Sequence, residues 1–178
     1  VIPPIVGWLA VDAANQHAKP LDALSAVAVW TRWAGEELQR GGYGGEPVVI
    51  PLGVDGELFR PRPRDEAREA VFGRLGALKP PPGAFVVGVV GRNQPRKRLD
   101  LTIKYFSQWI LARGVEDAYL YLHVAPTGDR GVDIRSLIRH FGIPSGRVIL
   151  AEPPIGTGMA PEAMPEVYGA MDVYFTTT

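Results

Sequence analysis

Four basic side chains follow a short apolar run, and they are the strongest chemical signal in the chain. The run covers residues 85–90, and the basic side chains after it are Arg92, Arg96, Lys97 and Arg98. An apolar run of this length is typical of a buried parallel strand, and a helix is predicted from Leu99. A strand that leads through a basic loop into a helix can hold an anion, because side-chain charge and free backbone N–H groups at the helix start converge there.

Arg92 and Lys97 have the side-chain chemistry best suited to a diphosphate. The planar guanidinium of Arg92 suits phosphate oxygens, whereas the ammonium of Lys97 is a compact charge. If both face one ligand, they would hold a diphosphate and neutralise the charge that develops on it as a leaving group. The same loop can instead be a solvated surface that pairs with carboxylates. Gly88 and Gly91 do not complete the dinucleotide-binding glycine fingerprint, and no Walker lysine loop is present.

The elements around this loop are predicted to form a parallel sheet. The sequence favours strands at 85–90, 118–124, 147–151 and 172–176, alternating with helices at 99–113, 132–141 and 161–170. This alternation predicts an α/β fold, a Rossmann-like parallel sheet with helices on both faces. One face of the 99–113 helix is predicted to be core, and it carries Leu101, Tyr105, Phe106, Trp109 and Ile110.

The chain before this sheet has further strand and helix signals. Residues 1–7 suit an edge strand or an entry loop, and residues 25–30 and 48–50 are predicted strands. Thr31 is a good N-cap for a helix that Gly41 and Gly42 would end. Asp65 is predicted to cap a helix that runs to about Leu78.

Ligands of open parallel sheets bind at the carboxyl ends of the strands, so the loops 125–131 and 152–160 are also candidates. We expect Asp129 and Asp133 to cap helices, because a third metal ligand is missing at suitable spacing. His123 lies near the end of a strand and could face a ligand, but we expect a half-buried histidine with a satisfied hydrogen bond. Glu152 could accept a hydrogen bond from a base or sugar, although a plain exposed carboxylate is the simpler interpretation.

Composition excludes several classes of protein. The 178 residues carry 19 basic and 19 acidic side chains, so no chain-wide field attracts nucleic acid or anionic membranes. The absence of cysteine excludes a disulfide scaffold, a cysteine-ligated zinc site and thiol catalysis. No apolar run approaches the roughly 20 residues that span a bilayer, and no signal peptide is visible, so a cytoplasmic location is expected. Both ends, at Val1 and at residues 176–178, are expected to be cut from a longer protein.

Several segments resemble one enzyme family. Residues 49–61, VIPLGVDGELFRP, resemble the IPxGVDxxxFxP segment of the retaining, glycogen-synthase-like GT-B glycosyltransferases of family 4 (glycosyl transferases group 1). Residues 90–97, VGRNQPRK, resemble the VGRxxPRK loop of that group. Residues 28–34 are similar to the end of the family's first domain, and residues 172–178 resemble the strand that leads to its donor site.

The resemblance implies a two-domain enzyme with a cleft between Rossmann-like domains. The second domain would hold a nucleotide-diphosphate sugar, whose sugar passes to an unknown acceptor with retention, without a cofactor or an obligatory metal. Arg92 and Lys97 match the family's basic pair on the donor diphosphate, and Gly91 would allow close approach of the backbone. The implied division is a remnant of the first domain with the junction at 1–51, a linker and helix at 52–83, and a truncated donor domain at 84–178.

The sequence also departs from the family. The glutamate pair would begin beyond Thr178, and the Gly-rich turn after the second strand is replaced by residues 125–128. We therefore expect a fragment that is inactive alone and that could self-associate through the truncated sheet. Two other classes stay open. One is a nucleic-acid-binding module that uses the 92–98 loop, against which the zero net charge counts, and the other is a non-catalytic α/β interaction domain.

Overall fold

The computed structural model describes residues 3–125, 130–144, 146–151 and 158–177. The chain divides into two compact units, Val1–Asp55 and Gly56–Thr178. Each unit contains a parallel sheet with helical elements around it. Across the described ranges, no helix is both long enough and apolar enough to cross a membrane.

The first unit is built on a three-stranded parallel sheet. Its strands are β1 (Val6–Leu9), β2 (Ala26–Val29) and β3 (Val48–Val49), and they lie in the order β1-β2-β3. A 3-10 turn at Lys19–Ala23 precedes β2, and helix α1 (Arg32–Arg40) follows it. The Thr31 hydroxyl accepts a hydrogen bond from the Ala34 N–H at 3.1 Å, so the predicted N-cap is confirmed.

The core of the first unit lies between α1 and one face of its sheet. Ala34 and Leu38 of α1 pack with Val27 and Val29 of β2. Trp8 of β1 remains 57% exposed and stacks edge-on against Trp30, at 6.1 Å between ring centroids.

The second unit contains a four-stranded parallel sheet. Its strands are β4 (Phe85–Gly91), β5 (Ala118–Val124), β6 (Val148–Ala151) and β7 (Val173–Tyr174), in the order β6-β5-β4-β7. Its helices are α2 (Arg64–Phe72), α3 (Leu99–Arg113), α4 (Ile134–His140) and α5 (Met164–Gly169), and 3-10 turns occur at Gly73–Leu78, Pro95–Lys97 and Pro161–Ala163.

Apolar residues cover both faces of this second sheet. On one face, Val87 and Leu120 pack with Ile103 of α3 and Ile134 of α4. On the other face, the cluster contains Ala67 and Phe72 of α2, Val86, Tyr121 and Val167 of α5. Alternate residues of β4 and β5 thus enter different cores, as strands that are buried on both sides require. The predicted α/β, Rossmann-like fold is confirmed.

The strand order creates a topological switch point beside β4. The chain leaves β4 to form β5 and β6 on one side and returns to form β7 on the other. Open α/β sheets bind ligands outside the carboxyl ends of their strands at such a point. The segments that meet there are the loop 92–98 after β4 and residues 175–177 after β7.

Some predicted element boundaries were wrong. Asp65 does not cap α2, because the helix begins at Arg64, has Pro63 at its N-cap and makes no side-chain cap hydrogen bond. The α-helix ends at Phe72 instead of continuing to Leu78, and the 3-10 turn that follows contains Gly76 at φ 56°. The predicted helix 161–170 is a 3-10 turn followed by α5, and β7 pairs over only two residues.

The predicted apolar stripe of α3 was partly wrong. Phe106 and Ile110 are buried, but Tyr105 is 48% and Trp109 37% exposed. Leu99, Thr102, Ile103 and Ser107 are buried in their place. Tyr105 and Trp109 instead line an apolar groove of about 340 Å³ beside β7, together with Phe85, Val87, Phe106, Val173 and Phe175.

Candidate functional site

The three predicted site residues all lie where β4 ends at the switch point. Gly91 is the last residue of the strand, Arg92 follows it with an exposed side chain, and Lys97 closes a 3-10 turn with its side chain partly exposed. The carbonyl of Arg92 accepts a hydrogen bond from the Gln94 N–H at 2.9 Å. Among the described residues, no ion pair involves Lys97.

Asn93 fixes the start of the loop to the segment that follows β5. Its side-chain amide donates to the Val132 carbonyl at 2.8 Å, and its side-chain oxygen accepts from the Val132 N–H at 3.0 Å. Asn93 is only 2% exposed. Gly131 permits this close contact, because a methyl group there would overlap the side-chain and carbonyl oxygens of Asn93. The basic loop is therefore anchored on its β5 side.

Thr177 fixes the end of the loop to the segment that follows β7. Its hydroxyl oxygen lies 2.8 Å from the Lys97 carbonyl and 2.9 Å from the Arg98 carbonyl. The hydroxyl of Thr102, which is fully buried in the first turns of α3, lies 3.0 Å from that of Thr177. The loop is thus held from both sides, an arrangement that reduces the entropy lost when a ligand binds.

The Arg98 side chain pairs with the Asp100 carboxylate, two residues further along the chain. Its guanidinium donates two hydrogen bonds to the Asp100 carboxylate, at 3.1 and 2.9 Å. These hydrogen bonds hold the pKa of Asp100 below its ordinary value, and the N–H groups of Leu101 and Asp100 act in the same direction. Among the described residues, no side chain caps the start of α3, so the expectation that its free N–H groups help to hold an anion stays a prediction.

The space beside Gly91 is open as far as the described residues go. A methyl group added at this residue would meet none of their atoms within 4 Å, and Gly91 has no positive φ. The described part of the fold therefore does not require glycine at the end of β4. The predicted reason for a glycine, close approach of a ligand to the backbone, remains a prediction.

His123 is part of a buried pair on β5. Its Nδ1 lies 2.8 Å from the Tyr121 hydroxyl, and its side chain is 6% exposed. Burial lowers the pKa of His123 and raises that of Tyr121, so both are neutral near pH 7. The predicted satisfied histidine is confirmed, although it is more deeply buried than expected.

Among the described residues, the remaining candidates give no second site. Asp133 caps α4 by accepting from the Ser136 N–H at 3.0 Å and from the Ser136 hydroxyl at 2.7 Å, as predicted. Asp129, Glu152, residues 126–128 and most of the loop 152–160 lie outside the described residues. The described ranges contain no group of three or more His, Cys, Asp or Glu side chains that could hold a metal ion.

Sequence reasoning found the basic loop but missed the residues that hold it. Asn93 lies inside the recognised motif, and its position directly after a strand was a usable signal for a turn-forming amide. Thr177 and Thr102 gave no signal, because 75 residues separate them in sequence. The lowered pKa of Asp100 follows from Arg98 two residues earlier, a spacing that the sequence does display.

No protein-family model matches the chain. No curated protein matches it either. The fold and the loop at the switch point therefore carry the functional argument, together with the motif resemblance.

Proposed function

We propose that the second unit binds the diphosphate of a nucleotide-diphosphate sugar at the carboxyl ends of β4 and β7, and that the chain is part of a retaining glycosyltransferase. The observation that carries this proposal is the position of Arg92 and Lys97 in one anchored loop at the switch point. The resemblance of residues 49–61 and 90–97 to family-4 enzymes supplies the reaction class.

In this proposal, the two basic side chains have complementary tasks. The fork of Arg92 would donate paired hydrogen bonds to phosphate oxygens, and Lys97 would add a compact positive charge. When the bond between the sugar and the diphosphate of the donor breaks, negative charge grows on the departing diphosphate. Both side chains would stabilise this charge. The sugar would pass to an acceptor that the sequence does not identify.

The test is a calorimetric or NMR titration of the 178-residue chain with UDP, GDP and ADP. We expect saturable binding with preference for one base and with weaker binding of the matching monophosphate, because one phosphate group is lost. Inorganic pyrophosphate and a single-stranded oligonucleotide serve as controls.

Two results would contradict the proposal. The first is no saturable binding of any nucleoside diphosphate. The second is tighter binding of the oligonucleotide with a steep loss of affinity as salt is raised, which is the behaviour of a nucleic-acid-binding surface.

A Gly91→Ala substitution tests the close approach of the ligand. We expect unchanged or slightly higher stability, by up to about 1 kcal/mol, because an alanine methyl group meets no atom of the described residues there and restricts the unfolded chain. Affinity for the preferred diphosphate should fall severalfold, because the methyl group would occupy the space of the ligand. The comparison is Gly131→Ala, which should lower stability by displacing Asn93. Wild-type affinity in Gly91→Ala would rule out a ligand contact at this residue.

A further inference from the structure

The hydroxyl of Thr177 connects the segment after β7 to the basic loop. It contacts the carbonyls of Lys97 and Arg98, residues that lie about 80 positions earlier in the chain. Thr177 follows the end of β7 by three residues, and the loop follows the end of β4, so the contact crosses the switch point. The two segments that border the proposed diphosphate site are therefore joined through one side chain.

The direction of these hydrogen bonds follows from the atoms involved. Carbonyl oxygens only accept, so the Thr177 hydroxyl must donate its single proton, which is shared between the two carbonyls. The Thr177 oxygen can then only accept from Thr102, whose fully buried hydroxyl donates to it at 3.0 Å. Thr102 on α3 thus orients Thr177, and Thr177 orients the loop.

The backbone at this contact has an unusual conformation. Arg98 has φ 47° and ψ 46°, the left-handed region that side chains other than glycine rarely adopt. Its guanidinium is held by Asp100, and its carbonyl is held by Thr177. Such conformations persist where surrounding contacts determine them, and they cluster at ligand sites. The peptide groups on both sides of this residue set the direction in which Lys97 leaves the loop.

We propose that Thr177 is a positioning residue for the diphosphate site, which holds the Lys97–Arg98 backbone so that the Lys97 ammonium reaches the ligand. This inference rests on the proposed function and adds a residue to it. Thr177 does not itself contact the ligand in this proposal. It acts through Lys97, and Thr102 supports it.

The test compares Thr177→Val with Thr177→Ser. Valine keeps the shape of threonine and removes the hydroxyl, whereas serine keeps the hydroxyl. We expect Thr177→Val to weaken binding of the preferred nucleoside diphosphate by about three- to tenfold, the range for a single lost hydrogen bond. Thr177→Ser should bind within about twofold of the wild type. In the NMR spectrum of the ligand-free chain, the Lys97 and Arg98 amide signals should shift in the valine variant and stay in place in the serine variant.

A second measurement separates positioning from a general effect on stability. In a Lys97→Ala background, the Thr177→Val change should alter affinity by less than about twofold, because the residue through which it acts is gone. Equal affinity of Thr177→Val and the wild type at a temperature where both are folded would overturn the inference and leave the proposed function intact. The inference would also be overturned if Thr177→Val weakened binding by the same factor in the Lys97→Ala background as in the wild type. Absence of saturable diphosphate binding in the wild type would overturn both.

Discussion

Replacing Arg92 and Lys97 together with alanine is expected to weaken binding of the preferred nucleoside diphosphate by at least about 100-fold. Hydrogen bonds to charged groups contribute about 1.5–3 kcal/mol each, and two of them together correspond to a factor of this size. Both residues lie in the anchored loop at the carboxyl end of β4. Titration calorimetry of the variant beside the wild type measures the effect, and unfolding curves confirm that the variant is folded.

The matched control removes one positive charge from the same loop. Arg96→Ala takes away the charge next to Lys97 in sequence, and the Arg96 side chain is exposed. We expect this control to lose less than about fivefold in affinity, as for exposed charges. A loss in Arg96→Ala equal to that in Lys97→Ala alone would contradict a specific diphosphate clamp and would favour a loop that acts through diffuse charge.

Arg92→Lys gives a finer test of the guanidinium. It keeps the charge but removes the planar fork. The affinity should therefore lie between that of the wild type and that of Arg92→Ala. Wild-type affinity in this variant would mean that only the charge of Arg92 is used.

The order of strands and helices in the second unit was predictable because its signals are local. Residues 85–124 contain apolar runs bounded by turns and a helix with clear ends, and the structure has β4, α3 and β5 there with nearly the predicted bounds. The loop with Gly91, Arg92 and Lys97 was predictable for the same reason, since it is continuous in sequence. The order of the strands across the sheet was not predictable, because it depends on which strands pair across long stretches of chain.

Residue burial on α3 was less predictable than the helix itself. Helical spacing places Tyr105 and Trp109 near Phe106, but it does not say how far the sheet extends beneath them. They lie over the edge near β7, where a strand of two residues gives little cover, and they border a groove instead of entering the core. The small polar residues Thr102 and Ser107 are buried because they lie on the side of the helix that meets the sheet and α4.

The least predictable feature is the ionic network around Asp172, and its removal should have the largest effect on stability. The Asp172 carboxylate accepts hydrogen bonds from Arg64 at 2.6 Å, Arg68 at 2.5 Å and the Val86 N–H at 2.7 Å. The side chains of Asp172 and Arg68 are only 11% and 10% exposed. The network joins α2, the amino end of β4 and the turn before β7. It therefore fixes the short strand that leads to Thr177.

Replacing Asp172 with alanine is expected to lower the free energy of unfolding of the second unit by about 3–5 kcal/mol, because Arg68 would remain as a buried, uncompensated charge. The control is Arg64→Ala, whose side chain is 56% exposed and whose loss should cost about 1 kcal/mol or less. Urea unfolding followed by the NMR signal of the Trp109 indole reports on this unit, since the other tryptophans lie before residue 56. A loss in Asp172→Ala no larger than that in Arg64→Ala would contradict the buried pair.

The contribution of Asp172 should also depend on pH. Burial raises the pKa of Asp172, but the hydrogen bonds from Val86 and Arg64 and the charge of Arg68 outweigh it, so the pKa lies below its ordinary value. A lowered pKa in the folded state gives stability that is complete above the unfolded-state pKa of about 4 and is lost as the pH falls through the folded-state pKa. The difference in unfolding free energy between the wild type and Asp172→Asn should therefore be largest near neutral pH and shrink below about pH 4.

Exposed carboxylates with lowered pKa values, such as Asp22 and Asp133, are present in both proteins and cancel in this difference. A difference that stays constant down to pH 3 would mean that Asp172 acts through its hydrogen-bond geometry and that its charge adds nothing.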